Sequence, residues 1–378
     1  MSKIYLPHAD QFDVMNGNLM RIVATLGADI DISTWEGIQK AVRVGVAPNL
    51  IPVGTQMKVT HSVYGEMVFD VVAHDLYKSR YDEKAHTMTL MCHDLIKSMH
   101  YDRIEAFYYA ETALSAGTYK FTVPATVGSW AAGTYNFTLT KSLPIGGQLC
   151  INGSNNVSLS SLSVVSYENQ YTTASLESAT IASGSNGTNL GTFGTELNRT
   201  ERSSYGSDNY KESAIRQFLN SSAEKGKVWK PQTKFDRPPY WASDTAGFLN
   251  GIETGFRDVL GEVVIPCHTN DKYESPESTT VANGKYTVKD KVCLPSQKEI
   301  FGESSSTVGS DGILFPYYYC ADALDRIKTL SGVATTWWTR SPAPWGTNVV
   351  KVVASNGTIT DNYASGDAPG IAPVCTIV

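Results

Sequence analysis

The chain has 378 residues, 42% of them hydrophobic, and a formal net charge of -6, so two or three domains with real cores are expected. The acidic balance, with no basic patch along the sequence, excludes nucleic acid as the main partner, and no apolar run approaches the ~18 residues of a membrane span. Charged residues make up only 18% while there are 20 tyrosines, a balance that suits β structure and contact surfaces better than long solvated helices.

The opening MSKIYLPHADQFDV carries no basic region followed by an apolar stretch and is not expected to act as a secretory signal. Ser33-Thr34-Trp35-Glu36 has the capping-box pattern and predicts a helix with Trp35, Ile38 and Val42 on one face, ending near Gly45. MKVTHSVYGEMVFDVVAHD predicts a hairpin turning at Tyr64-Gly65, and HTMTLMCHD a further strand. Residues 1–110 are therefore expected to form a small α+β or β-rich domain. Next, AGTYKFTVP (Ala116 to Pro124) recurs sixteen residues later as AGTYNFTLT (Ala132 to Thr140). In each copy the Tyr and Phe, two apart, share one strand face and the Thr residues the other, the seed of a meander or sandwich. INGSNNVSLSSLSVVSYENQ and ATIASGSNGTNLGTFGTE continue with strands joined by polar loops and a flexible stretch near 183–200. Residues 111–200 thus make a β-sandwich-like or meander spacer.

From residue 201 the character changes. SDNYKESAIRQFLNSS predicts a helix capped near Asp208, with Ala214, Ile215, Phe218 and Leu219 facing inward. Ser296-Gln297-Lys298-Glu299 is a second capping box, followed by a short helix near Ala321 to Lys328, a strand at WWTRSP and two more short strands. Helices first and a compact sheet last make 201–378 an α+β unit. Adjacent strand residues point to opposite faces, so Trp337 and Trp338 require cover on both sides. Arg340 offers donors on every nitrogen for loop carbonyls, and Pro342 ends the strand. The polar tail ASNGTITDNYASGDAPG cannot build a core by itself. The ending is a rigid frame under a polar surface.

No constellation for catalysis stands out. GxSxG, HExxH, P-loop and dinucleotide fingerprints are absent from the sequence. Ser222-Ala223-Glu224-Lys225 fits S-x-x-K without its partner motifs, and Asp236 and Glu253 are unpaired acid/base candidates for a glycosidase. His61, His74, His86, His93 and His100 cluster in the first region, with His74-Asp75 and His93-Asp94 as potential ligands, yet they fall at strand ends and turns, and no metal or other cofactor is expected. Asp29 to Ser33, DIDIS, alternates oxygens but lacks the glycine and bidentate glutamate of a calcium loop. The six cysteines are scattered without a CxxC pair and are expected to be reduced and buried.

DNYKESAIRQFLN, KPQTKFDRPP, VCLPSQKEIFG, WWTRSP and the closing GIAPVC together resemble the C-type-lectin-fold family of phage tail proteins and of the variable proteins of diversity-generating retroelements. The N-terminal WEGIQKAVRVGVAP, FDVVAHD, HTMTLMCHD and EAFYYAE are similar to the leading domain of its gut-prophage members. The resemblance covers the first and third regions, and the middle only loosely. It implies an α+β fold with a C-type-lectin-like domain at 201–378, preceded by an N-terminal domain (1–110) for tail attachment and oligomerisation and by the spacer. Its last segment, about 337–378, would display variable residues for host-surface ligand recognition. The implied structural frame is Trp337, Trp338, Arg340, Pro342, Gly357 and Gly370. The implied ligand-binding surface is Pro344, Trp345, Thr347, Asn348, Lys351, Thr360, Asp361, Asn362, Tyr363, Ser365 and Asp367. Copying errors at adenines in Asn codons reach most of these residues but neither Lys351 nor Trp345, which are then fixed or belong to another kind of site. The calcium-dependent sugar motifs of the lectin fold, Glu-Pro-Asn or Gln-Pro-Asp with Trp-Asn-Asp, do not occur, and the cysteine surroundings do not match the formylglycine-generating enzymes of the same fold. The expected protein is a non-enzymatic, tail-associated receptor-binding protein, made in the bacterial cytoplasm and acting outside the cell on the virion tail. Its partners are a host cell-surface protein or glycan and phage tail proteins, and it is expected to be a homo-oligomer, a trimer by analogy to tail tips. A bacterial surface adhesin and a tail-associated glycan hydrolase are the alternatives.

Overall fold

The computed structural model describes residues 30–123, 131–151, 162–169, 172–179, 181–192, 202–269, 284–303 and 311–378. The N-terminal stretch, Asp29 of the DIDIS segment and residues 193–200 of the expected flexible stretch lie outside the described residues. The fold is a β-rich mixture of sheets and short helices.

Helix α1 (Trp35–Arg43) begins one residue later than the capping-box pattern suggests. Thr34 is the N-cap and its Oγ1 accepts the Gly37 N–H at 3.1 Å, because Ser33 is occupied by Asp31, to which its Oγ donates at 2.6 Å. Ile38 and Val42 are buried, and Gly45 ends the helix. After α2 (Ala47–Leu50), β1 (Gln56–His61) and β2 (Gly65–His74) form the expected hairpin with His61 opposite Gly65; β3 (Lys78–Ser79) and β4 (Met88–Cys92) follow.

The middle region contains β5 (Tyr108–Tyr109), β6 (Gly117–Val123), β7 (Gly133–Leu139), β8 (Gln148–Ile151), β9 (Leu162–Asn169), β10 (Thr172–Ala179), β11 (Ile181–Ser183) and β12 (Thr188–Thr192). They build two four-stranded sheets, β10-β9-β8-β5 and β11-β7-β6-β12. The two repeat copies are β6 and β7, and they pair antiparallel with each other. This register sets Tyr119 against Phe137 (centroids 5.9 Å) and Phe121 against Tyr135 (5.6 Å) on one face, while Thr118 meets Thr138 and Thr122 meets Thr134 on the other. Phe107, Phe121, Phe137, Leu143 and Leu149 form a core of their own, separate from the main one.

The last region supplies α3 (Ala214–Leu219), α4 (Phe248–Gly251), α5 (Thr254–Val259), β13 (Val263–Thr269), β14 (Gly284–Asp290), β15 (Val292–Cys293), α6 (Gln297–Phe301), β16 (Thr329–Leu330), β17 (Val333–Ala334), β18 (Trp337–Pro342), β19 (Val349–Val353), β20 (Ile359–Tyr363) and β21 (Val374–Ile377). The helix expected from Asp208 is shorter than its pattern. Asp208 is buried and accepts from Thr269 Oγ1 at 2.7 Å, and Ser213 caps instead. The helix expected near 321–328 is a single 3-10 turn at Leu324–Arg326, with Asp322 Oδ1 accepting the Leu324 N–H at 2.7 Å. The capping box at Ser296 forms in full, with both the Ser296 and the Glu299 side chains engaged.

The first and last regions meet in the central sheet, ordered β1-β2-β4-β21-β15 and antiparallel throughout. Strand β21 lies between β4 of the first region and β15 of the last, and one buried cluster runs from Ile30 and Phe69 to Trp338 and Ile377. The first and third regions therefore share a sheet and a core, while the middle region has its own.

Candidate functional site

Strands β18, β19 and β20 form a separate three-stranded antiparallel sheet with β20 at its edge. Trp337 pairs with Val353 and Trp338 with Val352, so the two indoles leave on opposite faces, and both are fully buried. The Trp337 Nε1 donates to Arg326 O at 3.2 Å, and the Trp338 Nε1 to Met99 O at 2.7 Å. Each face of the strand is thus sealed by a different part of the chain.

Arg340 is 0% exposed and engages every N–H it has. Its Nε donates to Pro266 O at 3.1 Å. Its Nη1 donates to Leu294 O and Glu299 Oε2, both at 2.7 Å, and its Nη2 to Glu299 Oε1 and Asp311 O, both at 2.6 Å. Burial alone opposes the guanidinium charge, yet the Glu299 carboxylate holds its pKa well above the ordinary arginine value. Glu299 also accepts from the buried Tyr77 hydroxyl at 2.7 Å and from Ser296 N at 2.8 Å, so one ion pair clamps β18 to β13, α6 and the first region. Pro342 is buried opposite Val350. Gly357 turns the β19–β20 hairpin at φ +80°, where a Cβ would lie 1.6 Å from Ala323 O. Gly370 accepts from Trp338 N and packs beneath Leu95.

Above this frame the eleven candidate surface residues fall into three layers. Trp345 is 64% exposed and Tyr363 42%, and Thr360 and Asp367 are also exposed. Pro344, Thr347, Asp361, Asn362 and Ser365 are half-buried. Asn348 and Lys351, expected at the surface, are instead buried. Gly346 leaves the space that Asn348 Oδ1 occupies. Lys351, in the middle strand, lies under the Trp345 ring with its Nζ 4.1 Å from the centroid and pairs with Asp361 Oδ1 at 2.6 Å. A buried ammonium requires such a partner. Lys351 and Asp361 are direct cross-strand neighbours, and Tyr363 follows on the same face opposite Val349.

One contributor escaped the sequence. Tyr205 is buried beneath Tyr363, ring centroids 4.0 Å apart and planes within 14°. Its carbonyl accepts the Ser365 N–H at 2.8 Å, and nearby Asp208 N donates to Thr347 O at 2.9 Å. Its only local signal is an aromatic ring in the polar run ERSSYGSDNY. Asp102 anchors the same segment, accepting from Ser207 N and Ala214 N at 3.2 Å while its own N–H donates to Ala364 O. Burial and then the nearby Asp236 push the Asp102 carboxyl up to about 7, against Arg202 and the two N–H bonds.

The other candidates are committed to local structure. His93 pairs with Asp70 at 2.8 Å, His86 with Asp75 at 3.0 Å, and His74 Nε2 contacts Ile51 O at 3.0 Å. Among the described residues no group of three His, Cys, Asp or Glu side chains converges on a metal position. Glu253 accepts from Trp35 Nε1 at 2.6 Å and Thr60 N at 3.1 Å, whereas Asp236 closes a turn through Gln232 N and Thr233. Ser222 and Lys225 are exposed. All six cysteines are free; Cys320 is exposed and the others are buried. No described helix is long and apolar enough to cross a membrane.

Residues 174–378, more than half of the chain, match the model of a domain of unknown function, DUF6273. The match begins within the middle region and runs through the whole β18–β20 sheet. No curated protein and no solved structure matches the chain.

Proposed function

The chain belongs to the DUF6273 family, and on that premise we propose that it is a phage or prophage tail-associated receptor-binding protein whose C-terminal, C-type-lectin-like domain presents the β18–β20 face to a ligand on the host surface. The observation that carries this reading is the division of labour within one short segment. A fully buried, hydrogen-bond-saturated frame on β18 (Trp337, Trp338, Arg340) lies in the same sheet, one strand away from an edge strand whose side chains reach solvent. Rigid support under exchangeable polar residues is what adaptable recognition requires. The N-terminal region would attach the protein to the tail and the middle region would space the face outward. Several copies on one particle, a trimer as first expectation, would raise a modest single-site affinity by avidity.

The test is capture of bacterial cells by the immobilised full chain, across a panel of gut species, compared with Trp345→Leu and Tyr363→Ala. Retention of particular species by the native chain and its loss in both variants is the expected result. Retention of no species, or retention indifferent to both substitutions, would sink the reading. Diversification has a separate test in the DNA beside the gene. A second, near-identical copy of the segment encoding 337–378, differing at adenines, is expected.

A further inference from the structure

Resting on that reading of the face, we infer that its ligand is a saccharide, bound by stacking sugar rings on the outer faces of Trp345 and Tyr363. Each of these rings is the upper half of a stacked pair. Under Trp345 lies the buried Lys351 ammonium at 4.1 Å, and under Tyr363 the buried Tyr205 ring at 4.0 Å, nearly parallel. The inner face of each ring is therefore occupied and its tilt is fixed, so the surface offered to solvent is a flat, pre-oriented aromatic plate. Asp361 neutralises Lys351 at 2.6 Å, so the cation beneath Trp345 does not stand alone to draw density out of the ring.

The two plates share one side of the sheet. Trp345 sits over Lys351, whose cross-strand neighbour is Asp361, and Tyr363 lies two residues further along β20 on the same face. A pyranose has an apolar C–H face for a plate and hydroxyls around its edge. The half-buried Thr347 and Ser365, whose backbones are tied to the Tyr205 segment beneath Tyr363, supply polar groups for those hydroxyls. A protein ligand fits less well. A stable protein interface covers about 800 Å² per partner around a contiguous apolar centre, whereas here the exposed apolar surface is two separated rings set among polar side chains.

The experiment has two arms. In the first, the full chain is applied to an array of defined oligosaccharides, including N-acetylglucosamine oligomers, maltohexaose and galacto-oligosaccharides, beside Trp345→Leu, Trp345→Phe and a control at an exposed aromatic outside the face, Tyr81→Ala. Native binding to at least one array member is expected, with a loss of about tenfold or more in Trp345→Leu, the factor that 1.4 kcal/mol gives. Trp345→Phe should bind in between, and Tyr81→Ala as native. Binding to no oligosaccharide, or binding unchanged in Trp345→Leu, would overturn the inference. In the second arm, cells captured by the native chain are treated beforehand with periodate, which cleaves sugar diols, or with proteinase K. Loss with periodate alone supports a saccharide. Loss with proteinase K alone makes the receptor a protein and overturns the saccharide class while leaving the receptor-binding reading intact. Absence of capture from every species defeats that reading instead, and the array still decides the ligand class.

Discussion

Arg340 is the place where the frame can be broken most informatively. Glu299→Gln keeps the size of the side chain but removes the counter-charge of a guanidinium that has no exposure to water. Removing one partner of a buried pair costs about 3–5 kcal/mol. The capping box at Ser296 survives this change, because a Gln oxygen can accept the N-cap N–H that Glu299 Oε2 accepts. For an ordinary buried ion pair, replacing both partners with apolar residues restores stability. Here it should not. Arg340 also satisfies the carbonyls of Pro266, Leu294 and Asp311, and each buried carbonyl left bare costs about 1 kcal/mol at the low end. The double variant Arg340→Met/Glu299→Leu is therefore expected to remain at least ~3 kcal/mol less stable than the native chain. Urea unfolding followed by tryptophan fluorescence measures this, since Trp337 and Trp338 belong to the same strand. A double variant within about 1 kcal/mol of native would refute the view of Arg340 as a carbonyl clamp and reduce it to half of an ion pair.

Three further outcomes are expected. Burial, and then the nearby Asp236, push the folded Asp102 carboxyl up to about 7, above its ordinary value of 3.8, so between those values the folded chain holds a proton that the unfolded chain has released. Its contribution to stability is present at low pH and is lost as pH rises through 7, by at most about 1.4 kcal/mol per pH unit. Asp102→Asn should flatten this slope, and parallel urea midpoints for the two proteins at pH 6, 7 and 8 would contradict the assignment. Lys351→Met and Asp361→Asn should each destabilise the sheet, and the double variant should be less affected than the sum by about 1–2 kcal/mol; strict additivity in thermal unfolding would show that the pair does not interact. Gly357→Ala adopts a disfavoured φ of +80° and drives a Cβ into Ala323 O, so a loss of at least about 2 kcal/mol is expected, and an unchanged Tm would mean the hairpin turns elsewhere.

What the sequence disclosed divides by the range of the signal. The repeat AGTYKFTVP/AGTYNFTLT announced its strands because an alternating pattern is local, and its face assignments hold residue by residue in the β6–β7 pair. The capping box at Ser296 was legible for the same reason. The Trp337-Trp338 doublet required cover on both faces, and the structure supplies it from Arg326 and from Met99. Failures came where a side chain with a strong local preference is engaged at a distance. Asp208 matches an N-cap pattern but is spent on Thr269. Lys351 looks like a solvated charge but sits under Trp345. Tyr205 reaches Tyr363 across the length of the last region, and no local window shows such a contact. The pairing of β21 with β4 and β15, which joins the first and last regions in one sheet, was likewise invisible to local pattern.

The three layers of the candidate face have unequal freedom to change, and the reason is physical. Strand β20 is an edge with one neighbour, so exposed Thr360 can be exchanged with little effect on the buried valines of β19. Asp361 cannot, because every neutral replacement leaves the Lys351 ammonium buried without a counter-charge. Trp345 in turn rests on that ammonium, so its orientation depends on a residue buried beneath the proposed binding face. Position 361 therefore constrains the plate at 345 through 351, and the three must vary as a unit. A surface built this way is free at its rim and fixed at its aromatic centre. Changes at the rim would redirect specificity among related ligands, whereas a change at 361 would remove the platform on which any of them is read.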